Sequence, residues 1–196
     1  MVIDVTKKEI NVKIVYYGPA VSGKTTNLLI IHRRLKPEHR GEMVSIDTKG
    51  ERTLFFDFLP VEVKIGGGFK VRFHLYTVPG QYFYKTSRKL VLRGADGIVF
   101  VADSQRSRVK DNKIIWEEMI EFLQSQNTSI NDIPIVLQYN KRDLQDILSV
   151  EELNALFGGG KFPYFEAIAV QGKGVFETLD AISKNVLRSV LQKAKV

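Results

Sequence analysis

The chain has 196 residues, 44% of them apolar and 26% charged, the profile of one globular domain large enough to bury a substantial core. It contains no cysteine, which excludes disulfides, thiolate metal sites, prenylation and palmitoylation. The net charge of +7 is spread over scattered Lys and Arg, with small clusters at Arg33-Arg34-Lys36, Lys85-Arg88-Lys89 and Lys184-Arg188-Lys193-Lys195. With no zinc-finger, RNP or helix-turn-helix pattern beside them, these read as a solvated surface rather than a nucleic-acid interface.

Residues 1–8 read as a short polar, flexible lead-in, and Lys7, Lys8 and Glu9 interrupt any apolar run that could serve as a secretory signal. No apolar stretch approaches the roughly 18 residues a membrane span needs, so a cytoplasmic protein with no integral membrane segment is expected. A strand is predicted over 10–17 and a helix over 24–35, where Leu28, Ile31 and Leu35 share one face. A long polar loop follows at 36–53, broken by Pro37, Gly41 and Gly50. Two strand-like runs, 54–65 and 69–77, flank Gly66-Gly67-Gly68, which reads as a hairpin turn. Beyond a loop and a helix near 84–93 come strand 97–104, helix 110–126, strand 133–140, helix 150–156, strand 162–169 and a long helix from 174. Apolar strands alternating with helices imply a single α/β domain, a mostly parallel sheet flanked by helices on both faces.

Residues 18–25, GPAVSGKT, join the first strand to the first helix in the pattern G-x-x-x-x-G-K-[ST]. Polyphosphates carry several negative charges and need many donors at once, and this loop offers backbone N–H groups with a helix N-terminus behind them. The candidate nucleotide-binding residues are therefore Gly18, Pro19, Ala20, Val21, Ser22, Gly23, Lys24, Thr25 and Thr26. Lys24 would reach the β- and γ-phosphates, and the Thr25 hydroxyl would be a hard oxygen ligand for Mg²⁺.

The loop alone does not choose between ATP and GTP; Asn140-Lys141-Arg142-Asp143, directly after an apolar strand, does. Guanine presents N1–H and N2–H₂ donors that a carboxylate such as Asp143 accepts as a fork, whereas adenine would face it with a lone pair. Asn140 can bond N7 and tie loops together, and the stem of Lys141 can lie against the ring.

The ordered set GPAVSGKT, Thr53, TVPGQ (77–81), NKRD (140–143) and EAIA (166–169) resembles the Ras-like small GTPases over nearly the whole chain. ERTLFFDFLP, FHLYTVPGQ and GKGVFETL are similar to the bacterial MglA-type branch of that superfamily. The resemblance implies a P-loop, Ras-like G domain that binds Mg²⁺–GTP, hydrolyses it slowly to GDP and phosphate, and controls cell polarity and motility. It implies that Thr53 completes the metal shell, that the Gly80 N–H meets the γ-phosphate, that Gln81 orients the attacking water, and that Arg52 acts in cis as an arginine finger. It further implies that Ala169 gives its N–H to guanine O6, with Asp57 supporting the catalytic geometry. The implied partners are an MglB-like Roadblock-domain homodimer as GTPase-activating protein and polarity or motility effectors, the GTPase itself being monomeric and recruited to a cell pole.

Two departures stand out. Thr77 occupies the place where Ras-type second switches carry an Asp, and a threonine cannot supply that negative charge behind Mg²⁺. Ala20 occupies a place usually held by glycine, and its methyl is expected near where Gln81 and Arg52 must meet the γ-phosphate. Both keep open a nucleotide-locked scaffold with little hydrolysis. An ATP-using P-loop enzyme is opposed by Asp143, and a lipid-surface protein rests on charge alone.

Overall fold

Along Glu9–Tyr17 the buried side chains divide between two apolar cores, Ile10, Val12, Ile14 and Tyr16 facing one and Val15 and Tyr17 the other, so this strand must lie in the middle of a sheet. The computed structural model, described here for residues 2–4, 6–47 and 55–194, places it there. The strands are β1 (Val2–Asp4), β2 (Glu9–Tyr17), β3 (Val44–Asp47), β4 (Phe55–Lys64), β5 (Lys70–Thr77), β6 (Gly97–Asp103), β7 (Ile135–Asn140) and β8 (Tyr164–Glu166). The helices are α1 (Lys24–Arg34), α2 (Lys85–Leu92), α3 (Val109–Gln124), α4 (Val150–Leu156) and α5 (Val175–Ala194).

The sheet runs β3-β4-β5-β2-β6-β7-β8, with β1 paired to β2 alongside this path. β2, β5, β6, β7 and β8 are parallel, whereas β4 is antiparallel to β5 and β3 to β4. The glycine turn expected at 66–68 closes the β4–β5 hairpin, with Gly67 and Gly68 at φ 74° and 77°. The sheet is thus mixed, because a turn of this length can only join antiparallel neighbours.

The strand expected over 162–169 narrows to β8, three residues long, because Ala169 already begins a turn of 3-10 helix, and two further segments differ from the sequence reading. The lead-in contains β1, whose residues 2–4 pair antiparallel with residues 9–11 of β2. The polar loop 36–53 carries a short turn of helix at Pro37–His39 and the edge strand β3, paired across Phe55–Phe58. Both segments are held by backbone pairing.

α1 and α5 cover one face through Leu28, Ile31, Val175, Ile182 and Val186, and α2, α3 and α4 cover the other through Leu92, Trp116, Met119 and Leu153. Trp116 packs edge-on against Phe100 of β6. Among the described residues no helix is long and apolar enough to cross a membrane. The C-terminal ends of β2, β5, β6 and β7 bring Gly18, Thr77, Asp103 and Asn140 to one edge of the sheet, the position where open α/β sheets bind ligands.

Candidate functional site

The phosphate loop leaves β2 with Gly18 at φ 143° and enters α1 from Gly23 at φ 105°. Gly23 has to lack a side chain for a second reason: a Cβ there would collide with the amide of Asn140. Val21, exposed between them, holds φ 63°, a left-handed conformation that is a genuine outlier for a β-branched residue. Lys24 is buried, its ammonium donating to the carbonyls of Gly18 at 2.9 Å and Pro19 at 2.6 Å. Burial, reinforced by repulsion from Arg88 and opposed by Asp57, pushes its pKa down to about 7. A polyanion beside it would restore its positive charge. The Ser22 hydroxyl is buried in the same loop without a hydrogen-bond partner among the described residues.

A cleft of about 470 Å³ opens between this loop and residues 77–81, lined by Lys24, Thr25, Thr26, Thr77, Gly80 and Gln81 among others. Gly80 lies flat against the phosphate loop; a Cβ on it would collide with the backbone of Ala20 and Pro19. Gln81 is exposed at the cleft.

Bonded to two of the lining residues, Thr25 and Thr77, is Asp57 of β4, buried. Its Oδ2 accepts the hydroxyls of Thr25 at 2.6 Å and Thr77 at 2.9 Å, and its Oδ1 that of Ser45 at 2.7 Å. The negative charge that Thr77 cannot carry is therefore present, contributed by the neighbouring strand. The sequence reading took the threonine as a loss, because which residue of β4 faces residue 77 depends on strand register. All the donors gathered here are oxygens, the chemistry a hard divalent cation takes.

The candidate base-selecting loop joins the phosphate loop through the side chain of Asn140. Asn140 donates from Nδ2 to the Ser22 carbonyl at 2.7 Å and accepts at Oδ1 from the Ala169 N–H at 2.9 Å. The N–H expected to meet guanine O6 is thus engaged by Asn140 in this arrangement. Lys141 holds φ 67° and places its ammonium 2.7 Å from Asp103, a fully buried carboxylate at the end of β6. Arg108, at the start of α3, donates to the Ala20 carbonyl at 2.9 Å and pairs with Asp111 at 2.6 Å. Asp143 stands exposed beyond Lys141. On the far side, Arg34 at the end of α1 donates to the Gln171 carbonyl at 2.6 Å and lies over Gly172, holding the loop that carries Ala169.

The structure therefore brings together the phosphate loop, Gly80, Gln81, Asn140, Lys141 and Ala169. Arg52 and Thr53 lie outside the described residues. Sequence reasoning missed Arg108 as a group bracing the site, and it took Arg88 for surface. Arg88 is completely buried, and its signal was spacing: Val91 and Leu92, three and four residues on, share its stripe of α2.

A phosphate loop with a strand-end loop from β5 seated against it, and a candidate base-selecting loop beyond it at the end of β7, are the parts of a guanine-nucleotide switch. The chain belongs to the ADP-ribosylation factor family of small GTPases, whose pattern it matches over residues 1–186. It is 50% identical over 185 residues to the mutual gliding-motility protein MglA of Myxococcus xanthus, an alignment covering 94% of this chain and 95% of that protein. It is 28% identical over 191 residues to human ADP-ribosylation factor-like protein 4A, covering 93% and 88% of the two chains. It is also 26% identical over 187 residues to a Ypt/Rab-type GTPase, Rab7, of Neurospora crassa, covering 93% and 85%. As a member of this family the chain binds guanine nucleotides and hydrolyses GTP; the ATP-using and nucleotide-locked alternatives are not favoured.

Proposed function

We propose that this GTPase is a polarity and motility switch of the MglA kind, cycling between Mg²⁺–GTP and GDP states. The observation that carries the metal-dependent part is the position of Asp57 between the hydroxyls of Thr25 and Thr77. The residues fit the ion: Mg²⁺ takes one or two protein oxygens beside phosphates and water, and Thr25, with Asp57 behind it, offers that set. When bound it would neutralise charge between the β- and γ-phosphates.

In this reading Lys24 and the N–H groups of residues 18–26 hold the phosphates. Asn140, Lys141 and Asp143 select guanine, and Ala169 borders the base. Gly80 meets the γ-phosphate and Gln81 orients the water. Arg52 and Thr53 act from the first switch, Arg52 by meeting the charge that develops on the leaving oxygens and Thr53 as a second metal ligand. The partner is an MglB-like Roadblock-domain homodimer, and the protein works in the cytoplasm and at a cell pole.

The test is nucleotide identification after denaturation, followed by single-turnover GTP hydrolysis with and without such a homodimer. Release of GDP or GTP and a faster turnover with the homodimer support the proposal. Adenine nucleotides alone, or turnover indifferent to the homodimer, overturn the nucleotide or the partner assignment respectively.

A further inference from the structure

Among the described residues Arg88 is the largest side chain that the fold buries completely, and it lies one turn into α2. Nothing in GTP chemistry requires an arginine there, and an unpaired buried charge is expensive. Its partners explain its presence. Nε donates to Oε1 of Glu118 at 2.6 Å and Nη2 to Oε2 at 2.9 Å, a two-pronged pair with the buried carboxylate of α3. Tyr17, the last residue of β2, donates its hydroxyl to the same Oε1 at 2.8 Å. The remaining nitrogen, Nη1, turns toward the site: it donates to the Pro79 carbonyl at 3.2 Å and to the Gln81 carbonyl.

Those two carbonyls frame Gly80. The Pro79 oxygen and the Gly80 N–H belong to one peptide group, which is planar and trans, so they point in opposite directions. Fixing the oxygen on Arg88 aims the N–H the other way. Gly80 itself lies against Ala20 of the phosphate loop. Fixing the Gln81 oxygen likewise sets the backbone from which that side chain reaches the cleft. A lysine could not do this: only the planar guanidinium holds a carboxylate with one edge and carbonyls with the other.

We infer that Arg88, braced by Glu118 and Tyr17, is a positioning residue for GTP hydrolysis, orienting the Gly80 N–H and the Gln81 backbone toward the γ-phosphate. The inference rests on the proposed roles of Gly80 and Gln81. Because the brace is anchored in α3 and β2, it sets the loop from the side of the sheet opposite α1.

The experiment compares wild type, R88K and the double variant R88M/E118M, which removes both buried charges at nearly constant volume. For each, thermal midpoint, affinity for GDP, affinity for a non-hydrolysable GTP analogue and the single-turnover hydrolysis rate are measured. The expected result is GDP affinity within about twofold of wild type, a GTP-analogue-over-GDP preference reduced about tenfold, and hydrolysis slowed about ten- to a hundredfold, the scale of ångström-sized misplacement. A structural role alone would weaken both nucleotides equally in step with the thermal midpoint, and that outcome overturns the inference. So does wild-type preference and rate in a folded double variant. If the double variant does not fold, R88K and Y17F, which each leave a buried partner for Glu118, decide by the same readouts, with Y17F expected to show the smaller defect. Q81L is measured alongside: unimpaired hydrolysis in Q81L removes the assigned role of Gln81, while the GTP-over-GDP preference still reports on Arg88.

Discussion

Asp57 and Thr77 face each other across the antiparallel β4–β5 pair and are joined twice: the Asp57 N–H donates to the Thr77 hydroxyl at 2.9 Å, and that hydroxyl donates back to the carboxylate at 2.9 Å. The threonine thus serves as a spacer that holds a carboxylate of the next strand against Thr25. This predicts that D57N keeps the fold and loses charge where, in the proposed reading, a divalent cation binds. Its GDP release should be fast with or without Mg²⁺, whereas wild-type release accelerates about tenfold or more when the ion is chelated. Release of a fluorescent GDP measured in Mg²⁺ and in EDTA gives the ratio; an unchanged ratio in D57N removes Asp57 from the metal's surroundings.

In the proposed reading the choice of base falls to Asp143. In D143A the guanine N1–H and N2–H₂ lose their acceptor, at a cost of about 1–3 kcal/mol, or roughly five- to 150-fold in affinity. Displacement by GDP and by ADP should converge in the variant. If the ratio of the two affinities stays at the wild-type value, selection lies elsewhere.

Gly80 has no room for a methyl, since a Cβ would strike the Ala20 backbone. G80A should keep GDP affinity while single-turnover hydrolysis falls about a hundredfold, because loop 79–81 can no longer seat on the phosphate loop. Wild-type turnover in G80A would show that the seated arrangement is not the hydrolysing one.

These outcomes separate what was legible in the chain from what was not. GPAVSGKT and NKRD were readable because each sits on consecutive residues whose chemistry needs no tertiary partner, and the strands before them are continuous apolar runs. The β4–β5 hairpin was readable from its glycines. Asp57 next to Thr77, Arg108 on Ala20 and Arg88 under Pro79 were not, because each pairs residues on different elements, and a charge has the same letter whether solvated or buried. β3 was missed for a related reason: an edge strand of four residues held by backbone pairing leaves almost no pattern.

The interior holds a polar chain that should matter for stability. The amides of Asn27 and Gln138 exchange hydrogen bonds of 2.7 Å and 2.9 Å, and Gln138 donates on to Thr178 at 3.0 Å, linking α1, β7 and α5. N27A leaves the Gln138 carbonyl buried and unpaired, and should cost about 1–3 kcal/mol in urea unfolding. N27L/Q138M, which removes both members, should recover part of that loss; a double variant worse than the single one would contradict the pairing.

His74 offers a pH-dependent signature. It stacks on Phe58, with Nε2 2.7 Å from the Asn11 amide oxygen, and burial, aided by Arg72 and opposed by Glu9, lowers its pKa below 6.5. The folded state then binds fewer protons than the unfolded one, so this contribution is present above the unfolded value of about 6.5 and is lost as the pH falls toward the lowered folded value. Thermal midpoints between pH 5 and 7.5 should fall less steeply for H74Q than for wild type. Parallel curves would show that the ring titrates alike in both states.

α1 meets the phosphate loop at Gly23, its N-cap, and the loop beside Ala169 at Arg34, the last of its 11 uninterrupted helical residues. That length is close to three full turns, so both contacts fall on one side of the rod. Insertion or deletion of a single residue within α1 would swing Arg34 about 100° away from Gln171 while leaving every motif intact. The helix is in this sense a phase gauge: evolution can change its surface letter by letter, but can change its length only in whole turns.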